Sequence, residues 1–136
     1  MSGAPAFVLD SSALLAYLLD EPGADLVEQV LFQPLAISAV NWAEVLSKLA
    51  DIGEDPHLEA RQMLAHGVLA KALVVVPLDD AVARDVAHLR QSTRRAGLSL
   101  GDRACLAVGR LLDIPVLTAD RAWRSLKLGV KIQAIR

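Results

Sequence analysis

Phe7-Val8-Leu9-Asp10-Ser11-Ser12-Ala13-Leu14-Leu15-Ala16 runs from an apolar triplet through one carboxylate and two hydroxyls into a second apolar stretch. The triplet is too short for a helix and reads as a buried strand. Ser11 to Leu19 reads as an apolar helix, closed by Glu21-Pro22-Gly23. A strand feeding straight into a helix is the opening of an α/β unit, and the rest of the chain repeats the theme. Ala24 to Phe32 is amphipathic, with Leu26, Val27, Val30 and Leu31 on one face. Leu35 to Ser38 is a second strand, and Asn41 to Ile52 a helix ended by Gly53. Asp55-Pro56 opens another helix, running to about Ala70, with proline at its first position. Leu73 to Leu78 is a third strand, and Asp79 caps a helix through Arg95. Gly101 to Leu112 is helical, Pro115 to Thr118 a fourth strand, and Val130 to Ile135 a fifth at an edge. This alternation predicts an α/β fold of three layers, α/β/α, around a mostly parallel five-stranded sheet.

The chain of 136 residues suits a single domain spanning 1–136, without repeat, low-complexity tract or linker. It is 54% hydrophobic, yet its apolar runs fall well short of the roughly 18 residues that span a bilayer, so no membrane is expected. The first residues lack a basic stretch, so a signal peptide is not expected either. The apolar excess fits a filled core plus a face covered by a partner. One cysteine, Cys105, excludes an internal disulfide and fits a reducing cytoplasm. His57, His66 and His88 lack metal-ligand spacing and read as structural or solvated. Charge is unevenly placed. Residues 1–70 hold 2 basic and 10 acidic side chains; residues 71–136 hold 12 basic and 6 acidic. A basic half beside an acidic cluster suits an enzyme of nucleic acid, although solvated helix faces give the same count.

Four acids stand out. Asp10 and Asp120 directly follow strands, and in a parallel sheet the carboxyl ends of the strands share one ligand-binding edge. Carboxylates gathered there can hold a hard divalent cation that acts on phosphate. Each also has an ordinary reading. Asp10 and Asp120 can be helix N-caps, as Asp79 must be. Asp102 falls on the apolar side of its helix near Cys105 and Gly109; it is either a buried ligand or half of a capping box with Ser99. Glu44 points away from the face defined by Trp42, Val45, Leu46 and Leu49, and Lys48 stands four residues on, so periodicity reads it as a solvated i,i+4 pair.

Taken together the stretches resemble the PIN domain, and within it the VapC-like toxins of toxin–antitoxin pairs. The matching pieces are Val8 to Ala16, Glu21 to Ala24, Ile37 to Val45, Leu98-Ser99-Leu100-Gly101-Asp102-Arg103-Ala104-Cys105-Leu106-Ala107, and Pro115 to Asp120. The resemblance implies that Asp10, Glu44, Asp102 and Asp120 form one acidic pocket, with Ser12 and Thr118 as supporting hydroxyls, and so overrides the periodicity reading of Glu44. It implies a Mg2+- or Mn2+-dependent endoribonuclease, usually dimeric and silenced by a cognate antitoxin protein. On that reading Asp10, Asp102 and Asp120 are the metal ligands, and Glu44 orients or deprotonates the attacking water. Arg94, Arg95, Arg103, Arg121 and Arg124 are candidates for gripping RNA. Trp42 and Trp123 read as core anchors before base-stacking platforms. The apolar helices Ala13–Leu19 and Ala24–Phe32 offer a groove for an antitoxin helix. A haloacid-dehalogenase-type phosphatase is disfavoured, because Ser12 stands where its second aspartate belongs, and a phosphoreceiver lacks its acidic pair and late lysine. A PIN-like module that binds RNA or a partner without cutting is the non-enzymatic rival.

Overall fold

In the computed structural model, residues 4–55, 57, 58, 62 and 73–136 are described. The strands are β1 (Phe7–Leu9), β2 (Leu35–Ser38), β3 (Leu73–Val76), β4 (Val116–Thr118) and β5 (Ile132–Ala134). The helices are α1 (Ser11–Leu18), α2 (Ala24–Val30), α3 (Ala39–Asp51), α4 (Asp80–Thr93) and α5 (Leu100–Leu112), with a 3-10 helix at Arg121–Ser125. The helix expected from Asp55-Pro56 to Ala70, and His66 within it, lie for the most part outside the described residues.

The sheet order is β3-β2-β1-β4-β5, and all four pairings are parallel. From β1 the chain builds outward to β2 and β3, then crosses back to place β4 on the other side of β1. The boundary between β1 and β4 is therefore the topological switch point, where a parallel α/β sheet opens a crevice at its carboxyl edge.

Period-two alternation explains the layering. Leu9, Leu35, Ile37 and Leu117 pack on one face against Leu14, Val27, Val45 and Leu49 of α1, α2 and α3. Val8, Ala36 and Val116 face the other way onto Val86, Leu89, Leu106 and Trp123. Both faces are covered, so the strands read as continuous apolar runs. Trp123 is a core anchor, as expected, while Trp42 is half-buried against the first cluster.

Differences from the expected boundaries have local causes. Helix α3 begins two residues early because Ser38 caps it, accepting the N–H of Asn41 (3.0 Å). Helix α2 stops at Val30 and β3 at Val76. The five-residue 3-10 helix after Asp120 is too short for a periodic signal, and its only mark in the sequence is the Asp120 cap.

Beyond β5 the chain folds over the α1–α2 turn. The Arg136 guanidinium donates to the Pro22 carbonyl (2.9 Å), and Arg121 Nε donates to the Arg136 carbonyl (2.6 Å). Gly23, at φ +100°, lies so close that a Cβ would sit 2.7 Å from Ile135 side-chain carbons and 2.9 Å from its carbonyl oxygen. Gly23→Ala adds left-handed strain to a clash with backbone. It should lower stability by about 2–4 kcal/mol, read as a reduced urea midpoint with an unchanged slope.

Candidate active site

Asp10 ends β1 and caps α1. Its backbone N–H continues the ladder to the Leu117 carbonyl (3.1 Å), which fixes it on the β1/β4 boundary. Its side chain, 5% exposed, lies in a cradle of donors. Oδ1 accepts from the Ser12 hydroxyl (2.7 Å) and the Ala13 N–H (2.8 Å), and Oδ2 from the Thr118 hydroxyl (2.5 Å). The two hydroxyls are held in turn: Ser12 Oγ accepts the Ala119 N–H (2.9 Å) and Thr118 Oγ1 the Asp120 N–H (3.0 Å). Burial nonetheless dominates and raises the carboxyl from 3.8 to about 6; the hydrogen bonds pull it down, and the Asp102 charge pushes it up.

Asp102 stands at the third position of α5 and forms the capping box anticipated from sequence. Its Oδ2 accepts the Ser99 N–H (2.9 Å) and its own N–H donates to Ser99 Oγ (3.1 Å). Capping uses only one carboxylate oxygen, and the side chain is half-buried where the ligand reading expected burial. Cys105, one turn further along α5, reports the local field. Its thiol is pushed up by burial first, then by the charges of Asp10, Asp102 and Glu44. The charges of three carboxylates, at the end of β1, on α3 and on α5, thus reach one buried thiol.

Glu44 is exposed, as periodicity indicated, but it does not pair with Lys48. Its Oε1 accepts from the Asn41 amide (3.0 Å), and its carboxylate lies over Gly101 at the start of α5. Asp120 stands apart. Its backbone joins the cradle through Thr118, but its carboxylate caps the 3-10 helix by accepting the Ala122 N–H (3.0 Å).

Among the described residues no lysine or arginine is ion-paired with any of the four acids. Nor do three carboxylate, imidazole or thiol groups among them close to the spacing that would enclose an ion. The donors suit a hard divalent cation in type: they are oxygens only, they repel one another, and one is buried at a raised pKa. Glu44 and Asp120 are exposed, and Asp102 is half-buried.

One arginine is corrected. Arg103 is buried between helices and donates to the Val86 carbonyl (3.1 Å), so it serves the α4–α5 contact and not an RNA surface. Arg94, Arg95 and Arg124 are exposed; Arg121 is exposed but bound to the Arg136 carbonyl. Asn41 and Ser38 carry no role in the sequence reading. The signal for them was the Ser-x-x-Asn spacing at the start of α3, three residues ahead of Glu44.

The PIN domain model matches residues 7–128. The chain belongs to the PIN-domain family. A ribonuclease VapC of Mycolicibacterium smegmatis is 32% identical over 121 residues, 86% of this chain and 93% of that relative. The fold of this PIN domain matches a toxin–antitoxin complex from Klebsiella pneumoniae (TM-score 0.71, 19% identity, 95% of this chain and 97% of that one). It also matches the VapBC-5 toxin–antitoxin structure from Mycobacterium tuberculosis (TM-score 0.59, 26% identity, 97% and 99%).

Proposed function

We propose that this PIN domain is a metal-dependent endoribonuclease, the toxin of a toxin–antitoxin pair, and that the whole chain acts as one domain. The observation that carries the reading is the buried Asp10 carboxylate at the β1/β4 boundary, which feels the charge of Asp102, with no lysine or arginine among the described residues ion-paired to either. Asp10 and Asp102 would hold Mg2+, or Mn2+ in its place, with Asp120 completing the site by turning from its capping position. Bound there, the ion would supply an activated water and neutralise charge on the scissile phosphate. Glu44 would orient that water or take its proton; Ser12 and Thr118 hold Asp10 in register. Arg94, Arg95, Arg121 and Arg124 would meet the RNA backbone, and Arg94 and Arg95 stand in the turn that leads into Ser99 and α5.

The partner reading follows the similar structures, one named as a toxin–antitoxin complex and one as a member of the VapBC family of toxin–antitoxin systems. The half-buried Leu15, Leu18, Leu19, Leu26 and Leu31 of the α1–α2 region give an antitoxin helix an apolar seat. A homodimer is the expected assembly. Among the described residues no helix is long and apolar enough to cross a membrane, and a cytoplasmic location is proposed with the RNA substrate.

The test is cleavage of a labelled RNA in Mg2+ by the parent chain and by Asp102→Asn. The asparagine oxygen can still accept the Ser99 N–H, so the start of α5 survives and stability changes by less than about 1 kcal/mol. Cleavage should fall about 100-fold. A parent chain that cuts no RNA with either metal, or full activity in the Asp102→Asn variant, overturns the proposal.

A further inference from the structure

We infer that Asn41 is a positioning residue that holds Glu44 in place against Gly101, an inference that rests on the role proposed for Glu44. Asn41 is 1% exposed, and its amide is fully engaged. Oδ1 accepts the Ser38 hydroxyl (2.5 Å); Nδ2 donates to Glu44 Oε1 (3.0 Å) and to the Gly101 carbonyl (3.1 Å). Two acceptors on one side and a hydroxyl donor on the other fix which way the amide faces. Capping of α3 does not need this side chain, because Ser38 binds the backbone N–H of Asn41. Tying α3 to α5 needs only the bond to Gly101. The remaining amide proton goes to a carboxylate that would otherwise turn freely in solvent, and that bond is what distinguishes positioning from packing.

Gly101 supplies an independent observation. It lies in the first turn of α5 without a left-handed backbone, so conformation does not demand glycine, and alanine would favour the helix. A Cβ there would sit 2.6 and 2.7 Å from the two Glu44 carboxylate oxygens. The space left by the missing methyl is occupied by Glu44. The clash falls on the mobile end of a long side chain, so Gly101→Ala displaces the carboxylate while sparing the fold.

The experiment measures kcat and KM on a fluorogenic single-stranded RNA oligonucleotide in Mn2+, with thermal melting, for the full chain. Asn41→Ala and Gly101→Ala should each lower kcat about 10- to 100-fold with KM within about twofold, because the water is misplaced while RNA still binds. Gly101→Ala should melt at or above the parent temperature, which keeps the test informative where Asn41→Ala folds poorly. In a Glu44→Gln background neither substitution should lower kcat further, since both act through the same carboxylate. Unchanged kcat in Gly101→Ala, or losses that add fully to that of Glu44→Gln, would overturn the positioning role. Full turnover in Glu44→Gln alone, or no cleavage by the parent, removes the assignment beneath it and is read before either new variant is made.

Discussion

Asp10→Asn is expected to lower RNA cleavage by at least about 1,000-fold and, in the absence of metal, to make the protein more stable. The two effects have one cause. The folded protein raises the Asp10 carboxyl from 3.8 to about 6, chiefly through burial. Between those values the native state holds a proton that the unfolded chain has released. Stability therefore falls as pH rises through this window, and above it the ionised carboxylate costs up to about 3 kcal/mol. Asparagine has the same shape and no charge. Its oxygen keeps the Ser12 and Ala13 bonds, while its amide can donate to Thr118 Oγ1, which turns from donor to acceptor. At about pH 7.5 in EDTA the variant should melt several degrees above the parent; at about pH 3, below both the unfolded and the folded value of Asp10, the curves should converge. A variant that melts lower at the higher pH would mean that the Thr118 hydroxyl cannot reverse. A variant that still cleaves would remove Asp10 from the chemistry.

Three aspartates that follow strands show where sequence stops being informative. Asp10 and Asp79 make the same local bond, each accepting the N–H three residues ahead, and Asp120 accepts the N–H two ahead. Cap chemistry is written in the neighbouring residues, so every one of these caps was legible. What sets Asp10 apart is the Thr118 hydroxyl, 108 positions away, delivered by the pairing of β1 with β4. Strand pairing across that distance leaves no local pattern. The strand-end positions put Asp10 and Asp120 at one edge of the sheet, but only the resemblance of several stretches at once assigned Thr118 a supporting role there.

Glu44 and Arg103 fail in opposite directions for a related reason. Periodicity ranks each residue against the faces of its own helix. It correctly left Glu44 outside the core, but it could not see Gly101 approaching from α5. For α5 it assumed one buried face, whereas this helix lies between the sheet and α4 and is buried along most of its length from Gly101 to Gly109. A cation on such a helix goes inside with its head against a carbonyl, as Arg103 does at Val86. The layer architecture was readable from the alternation of strands and helices. The degree of enclosure of one helix depends on what packs behind it, and that is a property of the assembled fold.

Excess EDTA should bring cleavage below detection, and added Mg2+ or Mn2+ should restore it. The stronger form of this prediction concerns pH. Asp10 has to release its proton before it can serve as a ligand, so metal binding and protonation compete for one carboxylate. Below about pH 6 apparent metal affinity should fall about tenfold per pH unit, and above it the dependence should flatten. Melting curves report this without any RNA. A cation at about 100 times its dissociation constant stabilises the fold by about 2.7 kcal/mol, so at a fixed metal concentration the metal-induced shift at about pH 5 should be about half that at about pH 7.5. In Asp10→Asn the pH dependence should disappear along with most of the affinity. Cleavage indifferent to EDTA would leave the acidic cluster without a chemical task. A metal-induced shift of equal size at both pH values would assign the ion to carboxylates other than Asp10.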